Sequence, residues 1–302
     1  MTVSLNTFYN SLGISKQAVH QHLNRELNIV FYEHQLLFLI HQLRQDHPGM
    51  CCRDLYYLLA PDFIGRDRFE AFCKKNGFYV KTVNNYRRTT DSSGVKRFPN
   101  LISGLNLERI NQVWVSDITY FDCGNRTCYI TFIMDAFSRR ILGYHASTRL
   151  FTEQTSLPAM EMALAVREKA HLKGLIFHSD GGGQFYDNVF LQLTSGKGIK
   201  NSMCRYPWEN GKAERINGII KNNYLRHWRI TSYQELQQSV DRAVKLYNTE
   251  KPHSNLNKLS PINYEKLYFS NGKTTDGEKS TTENENPRRR AILALRAGEN
   301  NL

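Results

Sequence analysis

Residues 113–121 read VWVSDITYF, residues 127–137 read TCYITFIMDAF and residues 139–148 read RRILGYHAST. Each run is apolar and rich in β-branched residues. Turn-forming residues separate them, first Cys123-Gly124-Asn125-Arg126 and then Ser138-Arg139. Such runs predict three strands in an antiparallel meander. Beyond them, TEQTSLPAMEMALAVREKA (152–170) predicts a helix capped by Thr152, GLIFHSD (174–180) a short buried strand, and QFYDNVFLQLTSGKG (184–198) a further helix. Helical stretches follow over 209–226 and 232–253. A strand meander followed by alternating helix and strand predicts an α/β fold, a mixed sheet with flanking helices.

The residues before the meander read differently. TFYNSLGISKQAVHQHLNR (7–25) reads as helix, turn and helix, with Gly13 in the turn and Ser15 as N-cap. Val19 and Leu23 are expected to face inward. Lys16, Gln17, Gln21 and Asn24 then point outward, and the types among them are those that reach phosphates and base edges. EHQLLFLIHQLRQD (33–46) predicts a separate amphipathic helix stopped by Pro48-Gly49. CCRDLYYLLA and IGRDRFEAFCKKNGF predict two more helices, the second carrying Arg66 and Arg68 and closed by Gly77. FYVKTV (78–83) reads as a small strand.

The expected units are therefore a helix-turn-helix at 1–30, a second helical unit at 31–82, a basic linker at 83–112, a core at 113–268 and a disordered tail at 269–302. A net charge of +12 favours polyanionic partners, because each phosphate contact releases condensed counterions. The six cysteines contain no C-x-x-C pair, which argues against a zinc ribbon. The chain opens on no secretion signal, and no apolar run reaches the ~20 residues that span a bilayer. A soluble, cytoplasmic chain is expected, with no membrane partner.

Acids inside apolar strands are the ones to inspect, since burying an unpaired charge is costly. Asp117 lies within VWVSDITYF. Asp180 ends GLIFHSD and runs into Gly181-Gly182-Gly183, where backbone can approach a substrate. Glu214 lies in ENGKAERINGIIKNNYL (209–225). Each has a plainer explanation alone: an edge-strand acid, an acid before a glycine turn, a solvated helical acid. Glu209 is a second candidate for the third acid, but it precedes the helix proper. Asp135 abuts a turn and is expected to cap it.

Together these segments carry a family likeness. NQVWVSDITYF (111–121), IMDAFSRRILGY (133–144), HSDGGGQF (178–185), ENGKAERINGIIKNNYL and YNTEKPHSNLNKLSP (247–261) resemble the retroviral-integrase-like core of bacterial insertion-sequence transposases. The likeness is to the second reading frame of the IS-three family. LGISKQAVHQHL, HPGMCCRDLYYLL, GRDRF and FPNLI extend it through the amino-terminal half. Two departures stand out: Lys251 where arginine is usual, and 33 residues between Asp180 and Glu214, two fewer than the commonest spacing.

The resemblance implies a ribonuclease H-like fold and a DNA transposase. Asp117, Asp180 and Glu214 would be its catalytic and metal-binding residues, holding two Mg²⁺ ions with Mn²⁺ able to substitute. It also implies strand cleavage and transfer at insertion-sequence ends, contact with terminal inverted repeats and target DNA, a homo-oligomer on DNA, and an upstream reading-frame product as a further partner. Lys16, Gln17, Gln21, Arg66 and Arg68 are expected on DNA. Asn217 and Lys221, three and seven residues after Glu214, share its helix face and are expected there too. His178 reads either as a buried, hydrogen-bonded histidine or as a substrate-orienting one. Tyr206 and Trp208, in the loop before the Glu214 helix, read either as DNA-end contacts or as ordinary loop residues, while Trp114 is expected in packing. A non-catalytic regulator of transposition and a ribonuclease H-like nuclease remain as alternatives.

Overall fold

The computed structural model describes residues 4–80, 98–167, 172 and 174–273. The core begins with strands β1 (Val113–Cys123), β2 (Arg126–Asp135) and β3 (Ile141–Ser147), which pair antiparallel in sequence as the meander predicts. Helix α5 (Ser156–Val166), strand β4 (Ile176–Ser179), helix α6 (Asn188–Gly196) and strand β5 (Lys200–Met203) follow. Helices α7 (Gly211–Asn223), α8 (Tyr233–Thr249) and α9 (Pro261–Lys273) complete it. Among the described residues the sheet has the order β3-β2-β1-β4-β5, with β4 parallel to β1 and β5 parallel to β4. The mixed sheet with flanking helices is thus the expected fold class.

Alternation along the strands builds two apolar layers. Val113, Val115, Ile130 and Phe132 meet Ile216 and Ile220 of α7 and Val240 and Tyr247 of α8 on one face. Trp114, Ile133 and Phe177 meet Met160 of α5 and Phe190 of α6 on the other. Helix α5 lies so close to β3 that a Cβ on Gly143 would stand 1.9 Å from the Ala159 carbonyl oxygen. Asp135 is fully buried and accepts the backbone N–H groups of Asn111 (2.6 Å), Phe137 (2.9 Å) and Ser138 (2.9 Å), the capping role expected of it.

Two expectations for the core need correction. Thr152 opens only a 3-10 turn, Thr152–Gln154, and α5 starts at Ser156. Strand β5 was not anticipated, because KNSM is short and polar and lies on the sheet edge.

The amino-terminal helices are α1 (Leu5–Ser11), α2 (Lys16–Asp46), α3 (Cys52–Leu59) and α4 (Arg66–Lys75). Gly13 takes φ +66° in the turn and the Ser15 hydroxyl accepts from Ala18 N, as expected. The two helices expected over 16–46 are one. No glycine or proline lies between Gly13 and Pro48, so nothing stops the hydrogen-bond ladder. Leu23, expected to face inward, is 50% exposed, and the buried residues of α2 are Leu36, Ile40 and Leu43. These pack with Leu55, Phe69 and Phe72 of α3 and α4.

This helical unit is docked on the core. His47, fully buried, pairs with Tyr224 Oη (3.2 Å) and Glu250 (3.1 Å). Arg242 reaches Asp46 (2.9 Å) and Lys251 reaches Asp54 (2.6 Å). The Gly49 N–H donates to the Asn223 carbonyl, and a Cβ at Gly49 would stand 2.5 Å from Asn223 Cα.

The expected strand over 78–83 shows no strand in its described part, Phe78 to Val80, and the rest of it lies outside the described residues. So do residues 83–97 of the 83–112 linker and the chain after Lys273. Helix α9 runs past the expected boundary at 268. Among the described residues no helix is long and apolar enough to cross a membrane.

Candidate active site

Asp117 lies in the middle of β1, and Asp180 immediately follows β4. The parallel register pairs Val115 with His178. Carried two residues further along both chains, it sets Asp117 level with Asp180 on neighbouring strands. Glu214 stands in the first turn of α7, the helix that packs on β1. Three elements from distant parts of the sequence therefore bring Asp180 and Glu214 near enough to Asp117 for their charges to act on it.

Their mutual influence is visible in Asp117. Burial, then the negative charges of Asp180 and Glu214, push its carboxyl up to about 8. Partly opposing this, the Ile118 N–H and the Asn217 amide favour its charged form. The Asn217 Nδ2 donates to Asp117 Oδ2 at 2.9 Å. Asp180 Oδ1 accepts the Gly182 N–H at 3.1 Å, and a Cβ on Gly182 would crowd that same oxygen. Glu214 is exposed. As they stand, no three His, Cys, Asp or Glu side chains among the described residues are gathered closely enough to hold a metal ion.

The donor set nevertheless suits a hard divalent cation. It is made of carboxylate oxygens alone, without thiolate or imidazole, and its charges resist one another until a cation intervenes. Asn217, expected on DNA, is instead buried and committed to Asp117. Helical spacing puts it on the face of Glu214, but that face turns toward β1 at this level rather than to solvent. Lys221, one turn on, is half-buried with Nζ 3.4 Å from the Tyr120 carbonyl. Burial and Arg226 hold its ammonium below the ordinary value, against the pull of Asp117 and Asp122. His178 is fully buried and bonded through Nδ1 to Ser202 Oγ (2.9 Å). Burial pushes it down to about 4, against Glu209, so it is neutral near pH 7.

Glu209 does not join the trio. Its Oε2 accepts the backbone N–H groups of Arg205 (2.5 Å) and Tyr206 (2.9 Å), capping its own 3-10 turn, Pro207–Asn210. Lys16, Gln17, Gln21, Arg66 and Arg68 are all exposed on the helical unit, far from the acids in sequence, with Arg66 paired to Asp67 (2.8 Å). Asn210 went unnoticed in the sequence. Its Nδ2 donates to the Ser116 carbonyl (2.9 Å), beside Asp117, and no motif signals that contact.

Comparison with known proteins bears on the family of the chain. A family model described as integrase core domain matches residues 108–206, and a second of the same description matches residues 196–261. The insertion element IS600 uncharacterized 31 kDa protein of Shigella sonnei is 31% identical over 212 residues, 68% of this chain and 76% of that protein. The chain belongs to the bacterial insertion-sequence transposases with an integrase-like core. Another member of this transposase family, the putative transposase for insertion sequence element IS986/IS6110 of Mycobacterium tuberculosis, is 29% identical over 220 residues, covering 68% of this chain and 77% of that one. Among solved structures, the HTLV-2 integrase catalytic core domain in complex with magnesium aligns with 51% of this transposase-family chain and 95% of its own, at 19% identity and a TM-score of 0.41.

Proposed function

We propose that this chain is a DNA transposase that cuts at the ends of a mobile element and joins them to target DNA, with Asp117, Asp180 and Glu214 as the metal-holding carboxylates. The observation that carries this reading is the strand register that sets Asp117 level with Asp180, with Glu214 in the first turn of the helix packed on β1; burial and the two further acids raise the Asp117 carboxyl. Such a cluster is unfavourable by itself and becomes favourable around a cation. Glu214, exposed on the first turn of α7, has the rotamer freedom to turn toward the other two. When bound, a pair of Mg²⁺ ions, replaceable by Mn²⁺, supplies Lewis acidity for the attacking and leaving oxygens.

The chain's own residues do the rest. Asn217 fixes the Asp117 carboxylate through Oδ2. Lys221 lies on the same helix at the edge of the site, where a DNA phosphate beside the acids would meet its ammonium. Cleavage forms a bond from water oxygen to phosphorus and releases a 3′-hydroxyl. That hydroxyl then attacks a target phosphodiester and displaces its 3′-oxygen, so no protein nucleophile is needed. Residues 1–30 and 31–82 are the proposed grips on the terminal inverted repeats, through Lys16, Gln17, Gln21, Arg66 and Arg68, with 83–112 as linker and 113–268 as core. Two ends joined in register call for a homo-oligomer on DNA, and an upstream reading-frame product is a further proposed partner.

The test is Mg²⁺-dependent nicking of element-end DNA by the full chain. Asp117→Asn, Asp180→Asn and Glu214→Gln should each reduce nicking to background while gel-shift affinity stays within about twofold, since carboxylates do not supply the phosphate contacts. Any of these variants that still nicks removes its residue from the site. EDTA should abolish nicking by the unaltered chain.

A further inference from the structure

Between β5 and α7 a loop is clamped at both ends to the acid site. The Cys204 N–H donates to the Ser179 carbonyl (2.9 Å), and Asn210 Nδ2 donates to the Ser116 carbonyl (2.9 Å). Ser179 and Ser116 immediately precede Asp180 and Asp117. Glu209 braces the loop from inside through the N–H groups of Arg205 and Tyr206, and Pro207 fixes one φ. On this frame the rings of Tyr206 and Trp208 stack, with centroids 4.6 Å apart and planes 6° from parallel. Neither belongs to an apolar core: Trp208 is 73% exposed and Tyr206 47%. The other tryptophans differ, since Trp114 is fully buried and Trp228 partly buried. Two large stacked rings held in solvent on a braced loop are a costly arrangement for stability alone.

We propose that the outer face of Trp208 is a stacking platform for an unpaired nucleobase of DNA lying beside the acid site. This rests on the DNA-cleaving reading above. A base within a duplex has both faces covered by its neighbours, whereas an unpaired base offers a free face to an aromatic ring. Exposed Arg205 and Lys212 bracket Tyr206 and Trp208 in the sequence and supply the cations that a nucleotide's phosphate requires. A protein segment would gain nothing from those cations unless it were acidic. Stacking is tolerant of sequence, so the platform would hold a frayed end in place whatever its bases.

The experiment uses the full chain in EDTA, so that binding is read without cleavage. The probes are a blunt duplex and the same duplex with a three-nucleotide single-stranded overhang carrying 2-aminopurine. The overhang should bind more tightly, dim its 2-aminopurine and quench tryptophan emission. Trp208→Ala should weaken overhang binding about 5- to 100-fold, leave blunt-duplex binding unchanged and restore 2-aminopurine emission. Trp208→Phe should recover much of the loss. An alanine variant that binds the overhang as the unaltered chain does, or that loses both DNAs equally, overturns the platform. Nicking, measured separately in Mg²⁺, keeps the two ideas apart. Nicking without stacking sinks only the platform, and stacking without nicking sinks only the proposed chemistry.

Discussion

Replacing Glu265 with alanine should loosen the last helix of the core by a predictable amount. The Glu265 side chain is 3% exposed and takes donors from three directions. Arg167 pairs with both of its oxygens, Arg140 Nη1 donates at 2.7 Å and Ser138 Oγ at 2.6 Å. Alanine would strand the buried Arg167 guanidinium and open a small void, and removing one partner of a buried pair costs about 3–5 kcal/mol. Set against a typical total of about 5–15 kcal/mol, that is a large share. At about 2–4 °C per kcal/mol for a domain of this size, the melting temperature should fall by about 6–20 °C.

Far-UV circular dichroism melts of the unaltered chain, Glu265→Ala and Glu265→Gln would measure this, with glutamine in between because it keeps the volume and one acceptor. Burial alone would raise the Glu265 carboxyl, but the hydrogen bonds and charge of Arg167, then Ser138 and Arg140, outweigh it and hold the folded value below the ordinary 4.5. The stabilisation is therefore complete above that pH and is lost as pH falls through the folded value. The gap between the unaltered chain and the alanine variant should narrow on acidification. An alanine variant melting within about 2 °C of the unaltered chain at neutral pH would show that the network adds nothing net.

Gly143→Ala should destabilise the core by about 1–3 kcal/mol, since the new methyl would drive α5 off β3; chemical denaturation would read it. Asn217→Ala should slow nicking while sparing DNA binding, because it frees Asp117 without touching a phosphate contact; equal losses in both assays would return Asn217 to the DNA surface. Lys16→Ala and Arg66→Ala should weaken end binding more than nicking per bound complex, and unchanged gel-shift affinity would remove them from the grip.

The three-strand meander was legible because its strands carry apolar, β-branched runs bounded by turn residues, and Asp135 announced its cap by abutting a turn. Asp117 stood out as an acid among apolar neighbours, and Asp180 as an acid ending a strand before three glycines. Where the reading failed, two patterns overlapped or none existed. The helix over 16–46 seemed broken because its apolar stripe changes sides: Leu23 and Leu27 face solvent, while Leu36, Ile40 and Leu43 face α3 and α4. Asn217 shares a helix face with Lys221, but spacing cannot say that the strand is closer at one turn than at the next. The seat of His47 between Tyr224 and Glu250 joins residues 177 and 203 positions apart, which no local pattern encodes.

The unbroken α2 has a consequence for spacing. Its 31 residues, at about 1.5 Å each, measure about 46 Å from the exposed Lys16 end to Asp46. Asp46 and His47 are fastened to α8 and to Tyr224, which ends α7, the helix that bears Glu214. On the proposed reading the helix is a rigid arm, and its length sets where its tip grips relative to where the acids cut. Inserting or deleting residues within α2 should then move the cut along the DNA and turn the grip around the helix axis, about 100° per residue.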